Sequence, residues 1–426
     1  MAQLSDDCFA FGGALLSVEA AEALIAERVA PIGGEESVPL AAARGRVLAR
    51  DLVAPVPLPP FRNAAVDGYA FRHADLDAAA AETALALGGR LAAGQDARDA
   101  ALARGGAVRI FTGAPMPDGA DTVLMQEDAR LDADTVLVPR GLTPGSNARP
   151  AGEDVAEGAR ALPAGRRLRA PEIGLAAALG CAVLPVRPLL RVGVFSTGDE
   201  LAVPGAPLGP AQTYDSNRFT LLALLAALPV AARDLGILPD SAAATAAALA
   251  EAAATHDLLL TSGGVSTGEE DHVRAAIESG GRLVFWRLAV KPGRPAAMGV
   301  VRTARGNGAV GVPVIGLPGN PVAAVVTFLH LARPLVLRLA GAAPEPLPRF
   351  PARAGFAYRK KAGRREYVRV RLGAGDPLPV AEKFGREGAG LLTSLTESDA
   401  FAELPEEVTA VALGDTVCVL PFAALF

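Results

Sequence analysis

Apolar runs and helical stretches alternate between Leu189 and about residue 338, and this rhythm constrains the fold more than any other feature of the 426-residue chain. The apolar runs are LLRVGVFS, VAARDLGIL, HDLLLTSGG, RLVFWRLAV and VPVIGLPGN, and stretches such as FTLLALLAAL and SAAATAAALAEAAAT lie between several of them. Strands that alternate with helices favour right-handed crossovers and a mostly parallel sheet that is covered on both faces. We therefore predict a central, doubly wound α/β domain over residues 187–340.

The flanking segments have other patterns, and the length favours two to four domains over a single core. SVEAAEALIAERVA predicts a helix from Ser17 to about Ala30 with Ser17 as its N-cap, and residues 153–185 are predicted to be helical, with RAPEIGLAAALG ending at Gly180. Short apolar runs between turns over 61–150, and the period-two REYVRVRL before GDTVCVLPF, predict two β-rich domains. The fold class predicted is multidomain α/β, with these limits: 15–55 plus 151–186 (helical linker), 56–150 (β-rich), 187–340 (α/β) and 345–426, to which 1–14 could belong (β-rich).

Charge and cysteine content argue against several classes of protein. Lys plus Arg number 41 and Asp plus Glu 46, a net charge of −5, so no global positive field draws a polyanion and nucleic acid is not an expected partner. Three cysteines without CxxC spacing favour a reducing compartment, and four isolated histidines are predicted to be structural or on the surface. The N-terminus lacks a basic region and a long apolar run, so we expect a cytoplasmic protein without a membrane anchor.

Polar, glycine-rich loops follow three of the apolar runs, at the carboxyl ends of strands where open α/β sheets bind ligands. They are STGDE (Ser196 to Glu200), TSGGVSTGEED (Thr261 to Asp271) and LPGNP (Leu317 to Pro321). The backbone N–H groups of TSGGVSTG and the following helix N-terminus are suited to a phosphate. A P-loop is excluded, because Glu269 and Glu270 stand where Lys and Ser or Thr are required. The alternative is a turn that needs glycine for geometry alone.

Acidic residues cluster in or near the same loops, and carboxylates beside a phosphate-binding turn are consistent with a bridging Mg²⁺. They are Asp199, Glu200, Asp215, Asp240 and Glu269 to Asp271. For any one acid the alternative is a helix N-cap or a favourable helix start. RLAVKPGRPAAMG places Arg287, Lys291 and Arg294 around a Pro-Gly turn, where two cations can point at one oxyanion. The alternative for this turn is a solvated hairpin tip.

Nine motifs, in this order, resemble the molybdopterin molybdenumtransferase family, which includes MoeA and the gephyrin E-domain. They are PPFRNAAVDGYA, RIFTGAPMP, AGEDV, STGDEL, YDSN, TSGGVSTGEED, KPGRP, LPGNPV and GRREYVR, and they span nearly the whole chain. The resemblance implies an elongated, four-domain homodimer that releases AMP from adenylylated molybdopterin and inserts molybdate into its dithiolene, with Mg²⁺ as the metal. A molybdopterin adenylyltransferase is a candidate partner.

The resemblance also implies functional positions, carried over residue by residue. Those expected to act in catalysis are Asp67, Thr112, Asp154, Glu200, Asp240 and Asp271, with Glu200, Asp240 and Asp271 as the metal ligands. Those expected to bind substrate are Ser196, Thr197, Ser262, Gly263, Gly264, Ser266, Lys291, Arg294, Pro318, Pro321, Arg364 and Ser394. Of these, Arg364 and Ser394 are similar to positions that complete the site from a partner subunit.

The sequence departs from the family pattern at four positions. Arg62 and Ala64 stand where the first motif usually has an acid and a Ser, which leaves the roles of these two positions open. Arg287 and Arg294 stand where the family often has Lys, so a planar guanidinium replaces the point charge of an ammonium. Whether this changes the geometry of the molybdate pocket is left open by the sequence.

Two functions of other kinds are alternatives. One is a nucleotidyltransferase that adenylylates molybdopterin, since that activity is carried on a domain similar to residues 189–338; the flanking domains argue against it. The other is a non-catalytic scaffold of the gephyrin type. The intact set of acids and cations argues against a scaffold, which would have no need of it.

Overall fold

The computed structural model describes residues 16–238, 241–264, 272–293, 295–305 and 308–426. Helices within these ranges are α1 (Val18–Arg28), α2 (Ala170–Ala178), α3 (Asn217–Ala226), α4 (Ala242–Thr255), α5 (His272–Gly280), α6 (Pro321–Thr327), α7 (Arg333–Leu339) and α8 (Thr393–Thr396). Strands up to residue 214 are β1 (Glu36–Pro39), β2 (Leu52–Val53), β3 (Asn63–Ala64), β4 (Gly68–Phe71), β5 (Glu82–Leu91), β6 (Gly106–Ile110), β7 (Thr122–Met125), β8 (Arg130–Asp132), β9 (Thr135–Pro139), β10 (Ala148–Arg149), β11 (Arg160–Leu162), β12 (Val183–Val186), β13 (Leu190–Thr197), β14 (Leu201–Ala202) and β15 (Thr213–Tyr214). Later strands are β16 (Val230–Leu238), β17 (Leu258–Ser262), β18 (Gly281–Arg287), β19 (Val290–Lys291), β20 (Pro295–Arg305), β21 (Gly308–Leu317), β22 (Phe350–Ala354), β23 (Tyr358–Arg359), β24 (Arg365–Gly373), β25 (Val380–Lys383), β26 (Ala400–Leu404), β27 (Ala410–Val411) and β28 (Thr416–Pro421).

The first helix begins where the sequence predicts. The hydroxyl of Ser17 accepts a hydrogen bond from the backbone N–H of Ala20 at 3.1 Å, which caps the start of α1. The helical prediction for residues 153–185 is wrong over most of its length, because α2 covers only Ala170–Ala178. Gly158 and Gly165 adopt φ values of 77° and 80° before it, which turn the chain away from a helix.

A six-stranded sheet occupies residues 68–139, with the strand order β7-β4-β6-β5-β9-β8. Strands β6, β7 and β9 contain three of the short apolar runs that predict a β-rich domain here, AVRIF, DTVLM and TVLVP, although the Phe of AVRIF follows the end of β6. Strand β4 is second from one edge of the sheet and pairs antiparallel with both β6 and β7. Gly68 at its start lacks room for a side chain, because a Cβ there would overlap the carbonyl oxygen of Leu124 on β7.

We expect the substitution Gly68→Ala to lower the free energy of unfolding by about 1–3 kcal/mol, the usual cost of forcing a methyl group into a packed interior. The backbone of β4 or β7 has to shift, since the atom in the way belongs to the main chain. Chemical denaturation measures the change. Gly88→Ala is the matched control in the same sheet, because a Cβ at Gly88 meets nothing within 4 Å; equal losses in both variants would contradict the steric argument.

The central sheet has the order β16-β13-β17-β21-β20-β18. The first four strands run parallel, β20 pairs antiparallel with β21, and β18 pairs antiparallel with β20, so the sheet is mixed and only β20 runs against the other five strands. Its two faces pack into separate apolar clusters. On β13, Val192 and Val194 belong to a cluster with residues of α3 and α6, while Phe195 belongs to another with residues of α4 and α5.

A π-helical turn (Phe328–Ala332) joins α6 to α7 into one helical segment. Pro334, which lacks an N–H, falls in the first turn of α7 directly after it. The segment Pro321–Leu339 is long and apolar enough to span a membrane, with a mean hydropathy of 1.6. In the structure 83% of it is buried against the rest of the protein, so its apolar surface is taken up by the core.

The C-terminal strands close into a small barrel, because β24 pairs with β26 as well as with β25. The predicted strands REYVRVRL and GDTVCVLPF correspond to β24 and β28. His330 of the π-helical turn stacks on Tyr367 of β24 at 4.7 Å, and complete burial lowers its pKa to about 3, which fits the structural role predicted for it. Strand β19 leaves the central region and pairs parallel with β24, which sets Lys291 opposite Glu366.

Candidate functional site

Three of the predicted loops meet at one edge of the central sheet. The register places Ser196 of β13 opposite Ser262 of β17, and Ser262 opposite Leu317 of β21. Because these strands are parallel, their carboxyl ends lie together. The structure therefore brings together STGDE, TSGG and the start of LPGNP, and we refer to this set of loops as the strand-end site.

Glycine allows the loop after β17 to pass close to β13. Gly263 and Gly264 have φ values of 90° and 64°, in the left-handed region that favours glycine. A Cβ on Gly263 would lie 2.9 Å from the carbonyl oxygen of Thr197, and one on Gly264 would lie 2.7 Å from a methyl group of Val273. Geometry alone therefore accounts for these two glycines, whatever they bind.

Buried polar atoms at the strand-end site lack hydrogen-bond partners among the described residues. They are Oγ of Ser196, Oγ1 of Thr197, Oγ1 of Thr261 and Oδ1 of Asn217, on residues that are all less than a tenth exposed. Leaving one such group unpaired costs about 1–3 kcal/mol, and native proteins rarely tolerate it without a reason. Four of them at one sheet edge indicate a ligand-binding site.

Asn217 is a functional residue that the sequence analysis missed. At the start of α3, its side-chain amide donates to the hydroxyl of Ser262 at 2.8 Å and to the carbonyl oxygen of Gly319 at 2.7 Å. It therefore ties the TSGG loop to the LPGNP loop. The nearby ion pair of Asp215 with Arg218, 2.8 Å long and buried, fixes the start of α3. The signal that could have found Asn217 was its place in the YDSN motif immediately before a helix.

Glu200 is an acid of the strand-end site, directly after Asp199 in STGDE. Its carboxylate lies over Gly198, where a Cβ would overlap it, and its carbonyl oxygen accepts a hydrogen bond from the N–H of Thr213 at 2.8 Å. Pro318 is buried, and Pro321 begins α6, where its missing N–H is not needed. Asp240, Ser266, Asp271 and Arg294, and the side chain of Arg287, lie outside the described residues.

The described residues contain no cluster of three His, Cys, Asp or Glu side chains that could hold a metal ion. Two of the three expected ligands, Asp240 and Asp271, lie outside the described ranges. The groups that are described fit a hard cation, because the carboxylate of Glu200 and the unpaired oxygens of Ser196 and Thr197 are the oxygen ligands that Mg²⁺ prefers.

Lys291 belongs to a group of charges centred on one buried carboxylate. Its ammonium lies 3.2 Å from Oε2 of Glu366 and 3.3 Å from the hydroxyl of Tyr358. Arg364 donates from Nε to Oε1 of the same Glu366 at 2.7 Å. Within the chain, Arg364 and Lys291 thus contact the same carboxylate, and the expected role of Arg364 in completing a partner subunit's site stays a prediction.

Ser394 lies in a loop near LPGNP of its own chain, and its expected role in completing a partner subunit's site stays a prediction. Its side chain is fully buried, and its hydroxyl donates to the carbonyl oxygen of Leu391 at 2.5 Å. The loop before it is anchored to α6, because the carbonyl oxygen of Ala389 accepts a hydrogen bond from the N–H of Val322 at 3.0 Å. Ser394 thus shapes the loop next to LPGNP.

A cavity of about 330 Å³ connects these elements. Lys291, Pro318 and Glu366 line it, together with Arg369 and Lys383 of the barrel. Burial opposes the charge on Lys291, but the hydrogen bond to Tyr358 and the attraction of Glu366 raise the pKa of its ammonium. Lys291 therefore stays protonated, and cations dominate the wall of the cavity.

Asp67, directly before β4, and Thr112, just after β6, are hydrogen-bonded to each other at the end of the sheet of residues 68–139. The carboxylate of Asp67 accepts the backbone N–H of Thr112 at 2.8 Å and its hydroxyl at 2.7 Å. These two bonds, the backbone one first, lower the pKa of Asp67. Asp154 is exposed and donates its N–H to the carbonyl oxygen of Leu58 at 2.9 Å. In the described part of the chain, no hydrogen bond joins these three residues to the strand-end site.

The two unusual residues of the first motif have structural roles. Arg62 donates to the backbone carbonyl of Asp121 at 2.9 Å and so holds the turn before β7. Ala64 is fully buried, where β3 pairs with β10. An apolar side chain suits that position, because a buried Ser would need a hydrogen-bond partner.

The substitution Thr112→Val removes the hydroxyl but keeps the backbone N–H, so we expect the pKa of Asp67 to rise part of the way towards its ordinary value of 3.8. Because the folded pKa is lowered, the two bonds are fully formed above that ordinary value and are lost as the pH falls through the folded pKa. Carboxyl chemical shifts followed through an acid titration report the change. An unchanged titration of Asp67 in the variant would show that the hydroxyl bond does not act on it.

Three family descriptions match successive parts of the chain: MoeA N-terminal region (domain I and II) over residues 16–180, probable molybdopterin binding domain over 193–338, and MoeA C-terminal region (domain IV) over 351–422. The molybdopterin molybdenumtransferase of Haemophilus influenzae is 37% identical over 411 residues, which cover 96% of this chain and 99% of that protein. Molybdopterin molybdenumtransferase 2 of Mycobacterium tuberculosis is 38% identical over 389 residues, or 89% of this chain and 93% of that protein.

Solved structures agree with the sequence relatives. The structure of the molybdopterin biosynthesis moeA protein from Pyrococcus horikoshii is 28% identical, covers 96% of this chain and 100% of its own, and superposes with a TM-score of 0.79. The fold is thus that of a multidomain α/β protein with mixed sheets. The chain belongs to the molybdopterin molybdenumtransferase family, whose members are enzymes of molybdenum cofactor biosynthesis.

Proposed function

We propose that the chain inserts molybdate into adenylylated molybdopterin and releases AMP, which forms the molybdenum cofactor. Family membership supports the reaction class. The observation that carries the proposal is the adjacency of two anion-binding features: the strand-end site, with its unpaired polar atoms, and the cationic turn of Lys291. Leu317 pairs with Ser262, and the next residue, Pro318, lines the cavity of Lys291, so LPGNP links the two.

The strand-end site binds the phosphoanhydride in this proposal. The hydroxyls of Ser196 and Thr197 donate to its phosphate oxygens, which satisfies groups that are otherwise unpaired. Asn217 keeps the TSGG and LPGNP loops at a fixed separation. Glu200 accepts a proton from the attacking water while the oxygen of that water bonds to phosphorus. The bond between phosphorus and the bridging oxygen of the phosphoanhydride breaks, and the bridging oxygen leaves with its electrons.

Mg²⁺ is the proposed metal, held by Glu200 with Asp240 and Asp271, of which the last two lie outside the described residues. When bound, it supplies charge neutralisation at the phosphoryl oxygens. The cationic turn acts on the other anion. Lys291 and Arg364 donate N–H groups to molybdate, a tetrahedral dianion that needs several donors at once.

We also propose the domain organisation, the oligomeric state and the location of the chain. The chain divides into four domains at the limits given by the sequence, with a doubly wound central sheet, and forms an elongated homodimer in the cytoplasm. Light scattering tests the dimer: the expected mass is about twice the 43.3 kDa of one chain. A molybdopterin adenylyltransferase is the proposed donor of the adenylylated substrate.

The experiment that separates this function from nucleotidyl transfer supplies the purified protein with ATP, Mg²⁺ and molybdopterin. We expect no pyrophosphate above the amount formed without protein, because the proposed enzyme receives its substrate already adenylylated. Pyrophosphate release together with adenylylated molybdopterin would instead make the chain an adenylyltransferase and overturn the proposal.

A further inference from the structure

Glu366 is a buried carboxylate whose partners come from three different segments. It is 1% exposed and lies on β24, in register with Lys291 of β19. Its Oε2 accepts the hydroxyl of Tyr358 at 2.8 Å and lies 3.2 Å from the ammonium of Lys291, and its Oε1 accepts Nε of Arg364 at 2.7 Å. One side chain thus contacts both cations assigned to the oxyanion.

Such an arrangement orders the two cations before any ligand binds. Lys and Arg side chains lose about 1.5–2 kcal/mol of rotamer free energy each when they are fixed in one place. Contacts to a rigid, buried carboxylate already order the two side chains in the free protein. The loss of rotamer freedom therefore does not reduce the free energy of binding an anion. Among the described residues, one N–H of the Lys291 ammonium has no hydrogen-bond partner, and neither has the pair of terminal amino groups of Arg364, which bonds to Glu366 through Nε. These N–H groups can therefore donate to an anion.

We propose that Glu366 is a positioning residue of the oxyanion subsite, which holds Lys291 and Arg364 at the separation that molybdate requires. The inference rests on the proposed function, because that function supplies the anion. Glu366 contacts no substrate atom in this account and acts through the two cations. Its negative charge also leaves the group of three with a net charge of +1, so binding depends on donor placement more than on total charge.

The test uses Glu366→Gln in the full-length protein and measures molybdate binding directly, by equilibrium dialysis of labelled molybdate. The amide presents one acceptor oxygen in place of two and directs an N–H towards a cation, so at least one cation loses its place. We expect about tenfold weaker molybdate binding, while adenylylated molybdopterin binds as in the wild type. Wild-type molybdate binding in Glu366→Gln would overturn the inference.

Glu403→Gln is the matched control for general damage to the barrel. Glu403 is also buried, at 4% exposed, and it contacts Arg349 at 2.6 Å, Arg365 at 3.1 Å and the hydroxyl of Tyr367 at 3.2 Å. It does not line the cavity of Lys291. The control should lose stability but keep molybdate binding, and an equal loss of binding in both variants would reduce Glu366 to a structural role.

Two further measurements keep the inference testable if Glu366→Gln folds poorly. Glu366→Asp keeps the charge but is shorter by one methylene group, so we expect it to bind molybdate with intermediate affinity; binding as weak as a Lys291→Ala, Arg364→Ala double variant would contradict this. In that double variant, adding Glu366→Gln should cost less than a further twofold, because no cation remains to be positioned. A further tenfold loss would show that Glu366 acts independently of both.

Failure of the inference and failure of the proposed function give different results. If the wild type binds molybdate but releases no AMP, the proposed function falls and the positioning role stands on the binding data. If AMP release depends on molybdate in the wild type and Glu366→Gln keeps normal molybdate binding, the function stands and the inference falls.

Discussion

Replacing Glu200 with Gln should lower the rate of AMP release by about 10²- to 10³-fold, the usual loss when one preorganised group at the reacting centre is removed. The structure places the carboxylate of Glu200 over Gly198 in the strand-end site. Gln keeps the size of the side chain but neither accepts a proton from water nor carries charge towards Mg²⁺. Single-turnover AMP release measures the effect.

Glu153→Gln is the control for this prediction. Glu153 is exposed, and its carboxylate lies 3.8 Å from the guanidinium of Arg149, a surface pair that contributes little. The control should keep the wild-type rate. If folded Glu200→Gln also keeps it, the carboxylate serves only the turn between β13 and β14 and has no part in the reaction.

The substitution Lys291→Ala should weaken the apparent affinity for molybdate about ten- to hundredfold, while adenylylated molybdopterin still binds. Loss of one charge-assisted hydrogen bond costs about 1.5–3 kcal/mol, which converts to that range. Lys291 lies on β19, which pairs with the barrel, whereas the phosphate is assigned to the ends of β13 and β17. The proposal therefore assigns the two anions to separate subsites.

Measuring the molybdate dependence of turnover and the binding of adenylylated substrate in the same variant decides this point. Lys361→Ala removes an exposed lysine from the barrel and should change neither quantity. Equal losses of molybdate use and substrate binding in Lys291→Ala would show that both anions bind at one subsite and would contradict the assignment.

Local patterns in the sequence predicted the elements well where the signal is itself local. The cap at Ser17 and the period-two strand REYVRVRL correspond to α1 and β24. The prediction of a helix over 153–185 failed outside Ala170–Ala178, because the chain turns at Gly158 and Gly165 before α2 begins. Those two glycines adopt positive φ, which propensity counted over a long window does not detect.

The composition of the site was harder to predict, because its contacts join residues far apart in the chain. Asn217 contacts Ser262 and Gly319, and Lys291 contacts Glu366. Both sets of contacts depend on strand register. The hydrophobic pattern shows which face of the sheet a side chain lies on, but not which residue of the neighbouring strand lies opposite it. The resemblance implied a role for Arg364, but only the structure shows that Arg364 and Lys291 contact the same carboxylate, that of Glu366. The sequence thus indicated candidate functional motifs but not which residues they contact.

The most direct test of the central claim is to mix the purified protein with adenylylated molybdopterin and Mg²⁺, with and without molybdate, and to follow AMP together with the cofactor formed. We predict rapid AMP release only when molybdate is present, with one cofactor formed for each AMP. AMP that appears slowly and at the same rate with and without molybdate would contradict the account.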